Sequence, residues 1–169
     1  MSVYKILYLP NMLLRAANKP VINFDEKLHQ LIDNMFATMY SVRGVGLAAP
    51  QIGINLQLAV IDVSADKTQR LVIANPKILR FIGNKEYEEG CLSVPGVHDK
   101  VMRAEQVTVE AQDMHGEIFQ ITADELLGQC LQHEIDHLNG KLFVDLLSSL
   151  KRAMAKKRME KFQRSRSEE

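Results

Sequence analysis

Residues 122–140 read TADELLGQCLQHEIDHLNG, and the rest of the chain is organised around this stretch. Thr122-Ala123-Asp124-Glu125 has the spacing of a capping box and Gly140 supplies a stop, so a helix is expected to begin at Thr122 and end at Gly140. Leu127, Leu131 and Leu138 fall on one face of that helix, while Leu126 and Cys130 continue the face of His133 and His137. A helix that is apolar on both sides is largely buried. His133-Glu134-Ile135-Asp136-His137 is an H-E-x-x-H pattern, in which residues four apart share a face and both imidazoles can reach one metal ion. Glu134 lies one position off the ligand direction, poorly placed as a ligand and well placed to take a proton. Two histidines and a carboxylate are costly to bury without a partner, and a metal removes that cost. The bland alternative is a pair of surface or core histidines.

Upstream, Asp25 can cap a helix in which Leu28, Leu31, Ile32, Met35, Phe36 and Met39 recur at three- and four-residue spacing, ending before Gly44. Short β-rich runs follow at Leu56–Val63, Arg70–Ala74, Val107–Gln112 and Glu117–Ile121, the last two joined by the turn Asp113-Met114-His115-Gly116. Downstream, Ser149 to about Gln163 reads as a further helix. Strands gathered ahead of the main helix, rather than alternating with helices, argue for an α+β fold. The expected architecture has antiparallel or mixed sheets packed around a central metal-binding helix, with an N-terminal helix and a basic C-terminal helix. With no repeat and no linker, residues 1–150 are expected to form one domain and residues 151–169 a tail that continues it.

The chain has 169 residues, 46% of them apolar and 25% charged, in the range of an ordinary globular domain. No run approaches the roughly 18 apolar residues of a membrane span. Met1 to Arg15 has neither the basic lead nor the apolar segment of a signal peptide, so no export and no membrane partner is expected. With only Cys91 and Cys130, a disulfide framework is not expected either. The net charge of zero is unevenly spread. Residues 151–169 hold eight Lys and Arg against Glu160, Glu168 and Glu169, a balance of +5 that leaves −5 for residues 1–150. Such a tail can face an anionic partner such as RNA, or it can be a solvated helix end.

Two imidazoles do not complete a catalytic metal site, which uses three protein ligands and keeps a position for water. Downstream of His137 the only acids are Asp145, Glu160, Glu168 and Glu169, and no histidine remains, so a protease-type third ligand is poorly supplied. Upstream stands Glu89-Gly90-Cys91-Leu92-Ser93, where a glycine lets the backbone come close to whatever binds. A thiolate with two imidazoles suits Zn²⁺ or Fe²⁺. Cys130 is the rival thiol, although its place on the histidine helix suits a small buried apolar residue.

Three separated segments resemble the signature motifs of the peptide deformylases: Gly44-Val45-Gly46-Leu47-Ala48-Ala49-Pro50-Gln51, then Glu89-Gly90-Cys91-Leu92-Ser93, then Gln132-His133-Glu134-Ile135-Asp136-His137. The likeness runs from Ile6-Leu7 to Lys141-Leu142-Phe143. It implies a cytoplasmic metallo-hydrolase that removes the formyl group from the initiator methionine of newly synthesised bacterial proteins. By resemblance, Cys91, His133 and His137 take the metal-ligand positions and Glu134 the acid/base position. Gln51 and the backbone N–H of Leu92 take the place of the oxyanion donors. Val45, Gly46 and Gly90 look like the segments that pair with the substrate backbone. The resemblance implies one divalent metal, typically Fe²⁺, with Zn²⁺ or Ni²⁺ often found instead, and a basic C-terminal helix that can dock on the ribosome near its exit tunnel.

Leu126 and Cys130, with Val45, are the candidates to line the methionine slot. His98 stands at a rim position that is often arginine or an aromatic in the family, and Tyr87 and Gln129 stand where aliphatic residues are common, so a narrower or more polar slot is expected. Arg103 with Glu89 and Asp136 is expected to form a charge network that orients the ligands. The competing readings are a metalloendopeptidase and a structural metal domain whose tail binds RNA.

Overall fold

The computed structural model describes residues 2–167, so Glu168 and Glu169 of the tail's charge balance lie outside the described residues. Its regular elements are α1 (Glu26–Ser41), β1 (Gly46–Ala48), β2 (Leu58–Ile61), β3 (Leu71–Ile82), β4 (Lys85–Cys91), β5 (Val94–Arg103), β6 (Gln106–Gln112), β7 (Ile118–Asp124), α2 (Glu125–Leu138) and α3 (Ser149–Ser167). Five strands form one antiparallel sheet in the order β1-β2-β3-β6-β7, and β4 pairs with β5 in a separate antiparallel hairpin. This is the expected α+β class.

The four residues of β2 show why the layers stack as they do. Successive strand side chains point to opposite faces. Ala59 and Ile61 join the cluster that holds Cys130, Leu131, Ile135 and Leu138 of α2, whereas Leu58 and Val60 join the one that holds Leu28, Ile32, Met35, Phe36 and Met39 of α1. The sheet is therefore covered by a helix on each side, and β2 is apolar throughout because both its faces are buried. Burying each such Leu, Val or Ile contributes about 1.5–3 kcal/mol. The Asp25 carboxylate accepts the Leu28 N–H at 3.1 Å, so α1 starts where its cap residue directs.

The start of α2 differs from the sequence expectation. Thr122 does not cap it: β7 runs on through Asp124, with Thr122 opposite Thr108 and their hydroxyls 2.9 Å apart, and the helix begins at Glu125. Continued pairing with β6 satisfies more backbone groups than an early cap would. The chain turns from strand to helix with no loop, and Glu125 takes φ +48° at the switch. The hairpin β4–β5 was also not foreseen, and β3 runs on to Ile82 past Asn75-Pro76, where a register shift accommodates the proline that cannot donate to the ladder.

A third cluster joins Leu9 and Leu14 from the N-terminal segment, Val94, Val97 and Val101 from β5, and Phe143 and Leu147, with Ala155 and Met159 of α3 laid across it. No helix among the described residues is long and apolar enough to cross a membrane.

Candidate metal centre

Cys91 reaches α2 because of the way β4 ends. The hairpin stays in register from Lys85 opposite Arg103 to Gly90 opposite His98, then shifts so that Cys91 faces Val94. A shift of this kind re-aims the next side chain. The Cys91 sulfur lies 3.2 Å from His137 Nε2, which lies 3.2 Å from His133 Nε2. The three ligand atoms all fall within 4.8 Å of one another. Nitrogens bonded to one tetrahedral ion at about 2.0–2.1 Å stand roughly 3.3 Å apart, so two facing ring nitrogens and a sulfur at this spacing fit a shared cation. Cys130 is outside this group: it packs in the core with Leu131 and Ile135, and burial, followed by the Glu134 carboxylate, pushes its thiol up to about 12.

The two imidazoles are driven apart electrostatically. Burial pulls His133 down, but the Cys91 sulfur and the Glu89 carboxylate outweigh it and hold its pKa well above the ordinary value. Burial, then the charge of His133, holds His137 well below. His133 Nδ1 meets Glu89 Oε1 at 2.5 Å, which leaves Nε2 facing the cluster. Glu89 also accepts Arg103 Nε at 2.8 Å and Nη2 at 2.5 Å, and Arg103 Nη1 donates to Asp136 at 2.9 Å. Burial alone would raise the Glu89 pKa, yet these contacts bring it down to about 2. The expected network of Arg103, Glu89 and Asp136 is thus formed, and it ends on an imidazole.

Glu134 projects into the same space. It is 3% exposed, its Oε2 has no hydrogen-bond partner among the described residues, and burial raises it to about 7 against the opposing charges of His133 and Arg103. β1 passes so close to Glu134 that a Cβ at Gly46 would sit 2.7 Å from its Oε1 and push the carboxylate aside. Gln51 is held by both ends of its amide: Oε1 accepts Ala48 N–H at 2.9 Å, and Nε2 donates to Ser93 Oγ at 3.1 Å while lying 3.7 Å from the Cys91 sulfur.

These groups share a cavity of about 530 Å³. Of the residues singled out in the sequence, Val45, Gly46, Gln51, Gly90, Cys91, Leu92, His98, Leu126, Cys130, His133 and Glu134 line it, and His137 lies fully buried behind them. His98 packs so closely on Gly90 that a Cβ there would meet its ring. Gln129 lines the cavity and donates to Glu88 O and Glu89 Oε2. Tyr87 is buried, its hydroxyl unpartnered among the described residues. Sequence reading missed the Ser93 hydroxyl as the group that orients Gln51, although Ser93 stands inside a quoted motif. It also missed Tyr8, which lines the cavity and carries no motif, and it named Ile6 only as the start of the likeness and not as a lining residue.

A model of the family described as polypeptide deformylase matches residues 3–153. A peptide deformylase from Chromobacterium violaceum is 48% identical over 161 residues, covering 95% of this chain and 96% of that protein. The crystal structure of a peptide deformylase from Legionella pneumophila superposes with a TM-score of 0.96 at 58% identity, covering 99% of each chain. One from Synechococcus elongatus, solved in complex with actinonin, gives a TM-score of 0.88 at 44% identity, covering 95% of this chain and 88% of that one.

Proposed function

The chain belongs to the polypeptide deformylase family, a family of hydrolases, and on that premise we propose that it hydrolyses the N-formyl group from the initiator methionine of new polypeptides, releasing formate. The observation that carries this reading is the convergence of the Cys91 sulfur and two imidazoles on one point beside the unpartnered Glu134 oxygen. Cys91, His133 and His137 would hold one divalent ion, which when bound supplies Lewis-acid activation of water and of the formyl carbonyl at neutral pH. Fe²⁺ is the assignment we favour over Zn²⁺ or Ni²⁺, and metal analysis of anaerobically purified protein decides between them.

Glu134 accepts the proton of the attacking water and returns it to the leaving amine, a role suited to a carboxylate raised to about 7. The Gln51 amide, fixed by Ala48 and Ser93, and the Leu92 N–H donate to the oxygen on which charge builds. The methionine side chain lies in the slot formed by Leu126, Cys130 and Val45, and the peptide backbone pairs with Val45, Gly46 and Gly90, with His98 at the rim. Residues 1–150 form the catalytic body of a cytoplasmic enzyme, and residues 151–169 a tail that continues the same domain.

The test is formate release from formyl-Met-Ala. Glu134→Gln is expected to keep its metal and lose about 10²–10⁴-fold in kcat. Cleavage of unformylated peptides by the wild type would favour the endopeptidase reading instead.

We assign the basic face of α3 to docking on the ribosome. Lys156, Lys157 and Lys161 are exposed there, and charge reversal at all three should weaken binding to purified ribosomes most at low salt. Binding that ignores both salt and charge reversal would remove this assignment.

A further inference from the structure

Ile6 and Tyr8 line the cavity, and the residues flanking Tyr8 are tied to two of its motif segments. Leu7 N–H donates to Gln51 O at 2.7 Å and Leu9 N–H to Ser93 O at 3.0 Å. Tyr8, between these anchors, is half-buried and lines the cavity. Its ring is held from outside by the last turns of α3. Phe162 meets it edge-on, with centroids 5.9 Å apart and planes at 80°. The Arg166 guanidinium lies 4.9 Å from the Tyr8 centroid and 5.8 Å from that of Phe162. Gln163 Nε2 donates to Leu9 O at 2.9 Å.

Ala155, Met159, Phe162 and Arg166 follow one another at helical spacing of three and four, so one stripe of α3 first covers the third apolar cluster and then packs on the outer side of Tyr8. At about 530 Å³ the cavity is larger than formyl-methionine alone fills, and the rest of the substrate chain must leave through its mouth.

Resting on the deformylase reading, we propose that Tyr8 is a specificity residue that contacts the formylated chain beyond its first methionine. Phe162 and Arg166 are the positioning residues that hold it there. A tyrosine ring offers a broad, stiff contact surface with little side-chain entropy to lose. Arg166 sets a positive charge on the outer side of that ring, 4.9 Å from its centroid, while Arg43, His98 and Glu88 line the cavity with Tyr8, and the Arg166 charge favours acidic over basic side chains at the third and fourth substrate residues. The C-terminal helix thereby belongs to the substrate site as well as to the outer surface.

The experiment compares formate release from formyl-Met-Ala with release from formyl-methionyl pentapeptides carrying Asp or Lys at positions three and four. Tyr8→Ala and Phe162→Ala are each expected to lower the pentapeptide-to-dipeptide ratio of kcat/KM about fivefold, through KM, with Tyr8→Phe restoring it. Arg166→Gln is expected to erase the preference for Asp over Lys, and Arg166→Glu to reverse it. A purely structural role would lower both substrates alike and leave the ratio at its wild-type value, which would overturn the proposal. So would an unchanged ratio in Phe162→Ala, a substitution on the outer helix that serves if Tyr8→Ala fails to fold. No turnover of either substrate by the wild type would sink the deformylase reading itself; turnover of both with no length or charge dependence would sink only this inference.

Discussion

Beside His133, Glu89 accepts two hydrogen bonds from Arg103, meets His133 Nδ1 and is 5% exposed, whereas Tyr8 on the cavity wall is held by a ring edge and an exposed guanidinium. The first arrangement orients the His133 imidazole through short, charge-assisted contacts away from water, where a lost partner leaves a bare charge. The second positions a contact surface through dispersion and a screened cation.

The largest expected effect comes from breaking the buried end. Arg103→Leu strands the Glu89 and Asp136 carboxylates and should destabilise the protein by about 3–5 kcal/mol in urea unfolding. Its metal content should fall as well, because His133 loses its oriented partner. Stability close to wild type would mean that the network does not bear on the ligands.

Removal of the Gln51 donor comes next. Gln51→Ala should cost roughly 2.7–4 kcal/mol of barrier, seen in kcat for formate release with metal content retained. A loss confined to KM would move Gln51 from charge stabilisation to simple binding.

Acid sharpens the comparison further. The Glu89 pKa is depressed from 4.5 to about 2, so the folded state binds its proton less readily than the unfolded chain. The stability this contributes, on the order of 3 kcal/mol, is fully present above about pH 4.5 and is lost as pH falls towards about 2. Urea midpoints of chelated protein should drop across that window in the wild type and flatten in Glu89→Gln. The smallest effect is at the exposed pair Lys85–Glu125, where Lys85→Gln should leave Tm unchanged.

The same contrast explains what could be read from the sequence. His133, Glu134 and His137 are a helical-period pattern, and Glu89-Gly90-Cys91 is contiguous, so local spacing exposes both. Their meeting depends on a register shift at Gly90–Cys91, which no local pattern signals; the sequence offered Cys91 as the third ligand through its chemistry and the resemblance, not through its geometry. The helix start failed at Thr122 because pairing with Thr108 outcompeted a cap that looks adequate in isolation. The hairpin β4–β5 was hidden by glutamates and a glycine in the strand that ends on Cys91, residues with low strand preference. Tyr8 and Phe162 stand at opposite ends of the chain, and their contact exists only once α3 lies across the third cluster.

Cobalt substitution tests the convergence of one sulfur and two imidazoles most directly, because a thiolate bound to Co²⁺ gives a near-ultraviolet charge-transfer band. That band is expected in the Co²⁺-loaded wild type, unchanged in Cys130→Ser and absent in Cys91→Ser. A band that survives in Cys91→Ser, or disappears in Cys130→Ser, would contradict the assignment of the Cys91 sulfur to the ion.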